Sequence, residues 1–274
     1  MGKHPTGARV HDSYDQAWFA QISNVEERHF WFRTRNKVIA RIVSRIRAGM
    51  APDFRVLEGG CGTGNVLRVL EQTCPRGMVV GMDLFYEGLN YARQRTSCHL
   101  VQGDIIWPPF TKEFDLICLF DVLEHLPDDM HVLLNIRRML SQDGVLLLAV
   151  PADPSLWSYF DEASHHCRRY ELAELKSKLV AAGYLVEYIT HYMATIFPLV
   201  WLGRKLRSLN RKQRPSDIYG ANALASTELR IMPLVNGLLY WLLCVEVSLI
   251  ARRWRLPVGT SLLAVARKKW VADR

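Results

Sequence analysis

Val56-Leu57-Glu58-Gly59-Gly60-Cys61-Gly62-Thr63-Gly64-Asn65-Val66-Leu67 is the stretch whose reading decides the fold of this 274-residue chain. A short apolar run at 54–57 enters a loop with four glycines, and an apolar helical pattern follows. Glycine lets the backbone turn sharply and approach a ligand, because no Cβ stands in the way. A helix behind such a loop aims its free N–H groups at whatever sits there. The spacing therefore predicts the first strand-loop-helix unit of a nucleotide-type site. A dinucleotide cradle needs G-x-G-x-x-G. Here the glycines fall at 60, 62 and 64, and position 65 is Asn, so the pyrophosphate pattern is not met.

The next apolar run, Met78-Val79-Val80-Gly81-Met82, ends in Asp83, an acid able to accept both ribose hydroxyls. A third run at 98–102 is followed by Gly103-Asp104-Ile105. A fourth, Phe114-Asp115-Leu116-Ile117-Cys118-Leu119-Phe120, leads into Asp121-Val122-Leu123-Glu124-His125-Leu126. A fifth spans 144–150 after a turn-like Ser141-Gln142-Asp143-Gly144. Strand and helix signals alternate, which argues for an α/β fold with a parallel, doubly wound sheet.

Five such segments in this order, headed by E-x-G-x-G-x-G, resemble the class I S-adenosylmethionine-dependent methyltransferases over roughly residues 26–190. The resemblance implies a Rossmann-like seven-stranded sheet in the order 3-2-1-4-5-7-6, last strand antiparallel, with S-adenosylmethionine as cofactor. It assigns cofactor contacts to Glu58, Gly60, Cys61, Gly62, Gly64, Asp83, Leu84, Asp104, Ile105, Phe120, Asp121 and His125. Asp83 is expected at the ribose, Asp104 at the exocyclic amine of adenine, and Ile105 over the ring. Structural readings stand beside these: a solvated strand end for Asp83, a helix N-cap for Asp104, and a small packing residue for Cys61.

Residues 1–12 read as disordered, and a helical pattern runs from Tyr14 to Met50 with an interruption near Asn24. Within it stands His29-Phe30-Trp31-Phe32-Arg33-Thr34-Arg35-Asn36-Lys37. Similar strings cover the cofactor in the family, so the resemblance gives Arg33, or Arg35 beside it, the methionine carboxylate. The other reading is aromatic core packing with solvated arginines.

The loop after the fifth strand is dense in titratable and aromatic groups, and open α/β sheets bind substrates at such strand ends. Methyl transfer is a displacement at a sulfonium, so an O–H acceptor must be aligned and deprotonated. Histidine is the natural base near neutral pH. His166 is the first choice, then His165, then His125, with Asp161 orienting the imidazole. Arg168 and Arg169 suit an anionic acceptor or a developing oxyanion, and Trp157, Tyr159 and Tyr170 complete the acceptor site. Against this, Arg168 could pair with Asp161 structurally while the histidines only hydrogen-bond the loop.

A helix at 171–182 and a strand at 184–190 follow, with Gly183 between them as a helix stop. The good candidate for the last strand lies at 260–267, so residues 191–257 form an insert. The insert holds two apolar stretches, 192–203 and 231–251, closed by Arg204, Lys205 and Arg207, then Arg252, Arg253 and Arg255. The net charge of +8 is concentrated in the insert and tail. The second stretch is long enough to span a bilayer, but Asn236 and Glu246 and the need to return for a last strand argue against a span. Two shallow helices with basic ends suit an anionic membrane interface; a soluble cap over the site and a homodimer face are the other readings. Arginines flanking apolar runs do not suit a nucleic-acid groove, so no nucleic acid is expected.

The six cysteines lack metal-site spacing and read as reduced, buried packing residues. No metal cluster is expected, and no apolar secretory segment stands near residue 1. The expected organisation is a helical lid (1–50), a catalytic core (51–190), the insert (191–257) and the last strand with its tail (258–274). The expected function is methyl transfer to a small-molecule or lipid-like acceptor, at oxygen, in the cytoplasm or peripherally on the inner membrane face. A small-amine N-methyltransferase, an NAD-dependent oxidoreductase and a non-catalytic membrane scaffold are the alternatives.

Overall fold

The computed structural model describes residues 17–111, 113–209, 227 and 229–269. The N-terminal helical pattern forms α1 (Ala17–Val25) and α2 (Phe30–Arg47), and its break falls at 26–29. Tyr14 and the run at 1–12 lie outside the described residues. Then come β1 (Arg55–Gly59), α3 (Asn65–Thr73), β2 (Met78–Asp83), α4 (Tyr86–Ala92), β3 (His99–Gln102), β4 (Phe114–Phe120) and α5 (Asp129–Met139). β5 (Leu140–Pro151), α6 (Tyr159–Ala163), α7 (Leu172–Ala181), β6 (Tyr184–Tyr192), α8 (Phe197–Leu209), α9 (Pro233–Ala251) and β7 (Ser261–Lys268) follow.

The strands form a seven-stranded sheet in the order β3-β2-β1-β4-β5-β7-β6, the order the resemblance implies. β3 to β5 pair in parallel, and β7 runs antiparallel to both of its neighbours. Successive strand residues point to opposite faces, and a sheet covered on both sides needs both sets apolar. In β4, Leu116, Cys118 and Phe120 belong to one core, Ile117 and Leu119 to the other. α2, α3 and α9 cover the first face through Ile39, Ile42, Leu67, Leu70, Leu243 and Ile250. α5 and α7 cover the second through Val132, Ile136, Leu175 and Leu179.

Three local expectations need correction. β5 begins at Leu140, so Ser141-Gln142-Asp143-Gly144 is an irregular strand start rather than a turn. Its register against β4 shifts between Phe114 and Leu116, and the Asp115 carboxylate accepts from the Ser141 hydroxyl (2.9 Å) and the Arg55 N–H (2.8 Å). The stretch at 192–203 divides: Tyr192 closes β6 and the helix starts only at Phe197. Cys61, Cys74 and Cys118 are buried, but Cys167 sits exposed in the loop after α6.

Candidate active site

A crevice of about 440 Å³ lies at the carboxyl ends of β1, β2, β4 and β5, beneath α1 and the start of α2. That size falls within the range of small-molecule sites, roughly 300–1,000 Å³. The glycine loop forms one wall. Gly60 has φ +69°, and a Cβ there would stand 2.4 Å from the Val122 side chain, so only glycine fits. Gly64 has φ +76° and sits against the Ala92 backbone of α4, outside the crevice lining. A Cβ there would stand 2.8 Å from the Ala92 backbone, so glycine lets the loop pack closely on α4. Cys61 is buried with Sγ toward Gly81, as a packing residue would be, although it also lines the crevice.

The acids at the strand ends converge on this crevice. Asp83 ends β2, and its carboxylate accepts from the Gly62 N–H (2.7 Å) and the Phe85 N–H (2.8 Å). Burial raises its pKa despite these backbone bonds. Asp104 accepts from the Ile106 N–H (2.8 Å), a local turn contact, and still lines the crevice beside Ile105. Glu58 is 2% exposed. Its Oε2 has no hydrogen-bond partner, and burial pushes its carboxyl well up, with Arg35 only partly opposing. Leu84, Phe120 and Asp121 complete this wall. Asp121 adopts φ +56°, a conformation uncommon for a residue with a side chain.

The arginine that reaches Asp121 is Arg35, with Nη1 2.7 Å from Oδ2. Burial works to lower the Arg35 pKa, but Asp121, Tyr192 and Glu26 together outweigh it and the net shift is upward. Arg33 points elsewhere, its guanidinium stacked 3.7 Å over the Tyr240 ring of α9. Two positions along a helix turn the side chain by about 200°, so only one of the two arginines faces the crevice. α1 is strapped to the glycine loop: Thr63 donates to Glu26 at 2.7 Å, and Arg95 pairs with Glu26 and donates to the Ser23 carbonyl at 3.0 Å.

The opposite wall comes from the loop after β5. α6 opens with a reciprocal cap between Ser158 and Asp161. Asp161 is fully buried; its Oδ1 is 2.9 Å from His166 Nδ1 and accepts from Arg169 Nε at 2.7 Å. His125 meets His166 edge-on, ring centroids 4.7 Å apart. Glu124 is fully buried with neither carboxylate oxygen hydrogen-bonded, and His166 Nε2 lies 3.9 Å from its Oε1. Burial, reinforced by nearby Asp121, pushes the Glu124 carboxyl well up. His166, His125, Glu124 and Arg169 line the crevice, with Asp161 behind them.

Other expected acceptor residues are placed elsewhere. Arg168 pairs with Asp129 (2.7 Å) rather than Asp161, and the Tyr170 hydroxyl donates to the same carboxylate (2.8 Å). Both tether the loop to α5, so the structural pairing expected of Arg168 belongs instead to Arg169. His165 (φ +54°), Trp157 and Tyr159 lie outside the crevice lining. The spacing of histidines and acids gave no sign of a metal site, yet the fold brings ligand atoms of Glu124, His125 and His166 within 4.8 Å of one another. Phe160, Ile196, Val200, Arg204 and Leu229 also line the crevice. Sequence reading missed these because they come from α6, from α8 and from either side of it, and no local pattern marks them.

A methyltransferase-domain model matches residues 28–189. Trans-aconitate 2-methyltransferase of an Azoarcus species is 33% identical over 129 residues, covering 46% of this chain and 48% of that protein. Demethylmenaquinone methyltransferase of Lactobacillus johnsonii is 30% identical over 173 residues, covering 57% of this chain and 66% of the other. The chain thus spans less than two thirds of either relative. The plantazolicin methyltransferase BpumL, solved in complex with SAH, matches 93% of both chains at TM-score 0.57 and 15% identity, which shows a shared fold. The sheet order, the strand-end acids and the matched domain together make this chain a member of the class I S-adenosylmethionine-dependent methyltransferase superfamily.

Proposed function

We propose that the protein methylates an oxygen of an apolar, small-molecule or lipid-like acceptor, using S-adenosylmethionine as donor and His166 as base. The residues present fit that donor. The buried Oε2 of Glu58 has no hydrogen-bond partner, and an ammonium group would supply one. Asp83 keeps acceptor capacity at the ribose position beyond its two backbone bonds. When bound, S-adenosylmethionine supplies an electrophilic methyl group on a sulfonium.

The observation that carries the reading is the Asp161–His166 pair on the wall facing those acids. With Nδ1–H donated to Asp161, Nε2 keeps its lone pair, 3.9 Å from Oε1 of Glu124, which lines the crevice with it. Arg169 is held by Asp161 and by the Ala152 carbonyl (2.9 Å), beside the place where negative charge would develop. Ile196, Val200 and Leu229 give the acceptor side an apolar lining. Demethylmenaquinone methyltransferase, one of the relatives, acts by its name on a lipid-like quinone, which is in keeping with an apolar acceptor.

Calorimetric titration tests the donor. S-adenosylhomocysteine should bind and NADH should not; the reverse result defeats the proposal. Asp83→Ala should weaken S-adenosylhomocysteine by about 10- to 100-fold, the loss of one or two charge-assisted hydrogen bonds. An unchanged affinity would remove Asp83 from the site.

A second reading is favoured by Glu124, His125 and His166, which would hold a divalent cation; bound there, it would supply Lewis-acid polarisation of an acceptor hydroxyl. The Asp161 carboxylate on Nδ1 would also fix the ring orientation of a metal-bound His166. A chelator separates the two. Turnover that survives chelation leaves the imidazole as base; turnover lost to chelation and restored by added cation assigns the step to the metal.

A further inference from the structure

We propose that the outer faces of α8 and α9 seat the protein on an anionic lipid surface, and that the acceptor enters the crevice from that side. The first half stands apart from the methyltransferase reading; the second rests on it.

α9 is apolar all round, and the fold uses only half of it. Leu243, Val247 and Ile250 are buried against the core on one side. Leu234 (90% exposed), Leu238 (59%), Trp241 (65%) and Val245 (57%) lie on the other. At about 100° per residue these four fall within a stripe roughly 60° wide, running about 17 Å along the helix. On α8, Leu199, Leu202 and Leu206 form a second exposed stripe at helical spacing. Soluble monomers rarely leave so much contiguous apolar surface in water.

The fold also says how this surface meets a bilayer. α9 is long and apolar enough to cross one. However, Glu246 on its inner side is buried and accepts from the Thr195 N–H at 3.3 Å. Asn236 accepts from the Phe30 N–H at 2.7 Å, and its amide donates to the Arg28 carbonyl at 3.0 Å. After α9 the chain re-enters the sheet as β7. The helix is therefore pinned to the catalytic core and lies along an interface rather than across it.

Charge selects anionic lipid over a second copy of the chain. Lys205, Arg230, Arg252 and Arg255 are exposed around the stripes. Among the described residues of 192–258 the one acid, Glu246, is buried. Two copies meeting through these faces would bring like charges together, whereas anionic headgroups would neutralise them. Exposed Trp241 and Trp254 suit the headgroup layer. The surface is continuous with the crevice: α8 carries Leu199 and Leu202 outward and Val200 and Arg204 into the crevice lining. An acceptor dissolved in the membrane thus reaches His166 without crossing water.

The test is sedimentation of the full chain with vesicles of phosphatidylcholine alone or mixed with phosphatidylglycerol. The chain should sediment with the anionic vesicles at low salt and be released as salt is raised. A Leu238→Glu/Trp241→Glu chain should partition at least about tenfold less, the expected result of placing two charges in an apolar contact, while binding S-adenosylhomocysteine like the native chain. Neither residue lines the crevice, so retained cofactor affinity certifies the fold. Absence of sedimentation at low salt overturns the proposal. So does sedimentation that the double variant leaves intact, or a dimer in solution that this variant dissociates. Membrane binding without any S-adenosylhomocysteine binding would defeat the methyltransferase reading and leave the lipid surface standing.

Discussion

A His166→Ala chain is expected to bind S-adenosylhomocysteine with native affinity and to lose turnover by about 10²- to 10⁴-fold, the usual contribution of a positioned base. The expectation rests on geometry. Asp161 Oδ1 stands 2.9 Å from Nδ1, which leaves the other ring nitrogen unbonded on a crevice-lining residue, 3.9 Å from Glu124 Oε1. His166 lies on the wall opposite the glycine loop, so its removal should spare the cofactor contacts. The loss should therefore fall on kcat, with little change in donor KM. A turnover within twofold of native would take His166 out of the reaction. A matching loss in His165→Ala would also count against the assignment, because His165 lies outside the crevice lining.

Asp161→Ala should be the most damaging substitution for stability. Asp161 accepts from the Ser158 N–H at 2.9 Å, from Arg169 and from His166, with Arg204 3.7 Å away. Without it, the buried Arg169 guanidinium keeps a carbonyl partner but loses the carboxylate it is hydrogen-bonded to. Breaking a buried pair on one side costs about 3–5 kcal/mol. At about 2–4 °C per kcal/mol for a domain of this size class, Tm should fall by roughly 6–20 °C. Burial alone would raise the Asp161 pKa, but the His166 hydrogen bond and the Arg169 charge hold it below the ordinary carboxylate range. Its stabilising contribution is then present above that range and is lost as pH falls through the depressed native value. The gap between native and variant midpoints should accordingly close in acid. A Tm change under about 2 °C at neutral pH would show that Arg169 finds its counter-charge elsewhere.

Much of the crevice was legible because its parts are local. A glycine loop between a strand and a helix, and an acid one residue beyond an apolar run, each need only a few neighbouring positions to be recognised. Asp83, Asp104 and Asp121 sit at strand ends for that reason, and the fold carries all three to one crevice. Pairings between adjacent candidates were not legible. Arg168 and Arg169 are neighbours of the same type, yet the partly exposed Arg168 binds Asp129 of α5 and the buried Arg169 binds Asp161. Arg33 and Arg35 differ only in helix phase, which the packing of α2 against α9 decides. Glu124 stood in plain view in Asp121-Val122-Leu123-Glu124-His125, but its burial beside His166 depends on a loop some forty residues further along the chain.

The amino-acid sequence by itself determined the sheet, because alternating apolar residues on both strand faces and loops with fixed glycines leave few other ways to bury those strands. It also determined that a hydrophobic, basic segment interrupts the last strand pair. Only the tertiary structure decided which half of α9 is core and which is surface, since a helix apolar on every side carries no phase of its own. Only the tertiary structure, too, set His166 between Asp161 and Glu124, because hydrogen bonds and burial between distant segments depend on where the folded chain places them.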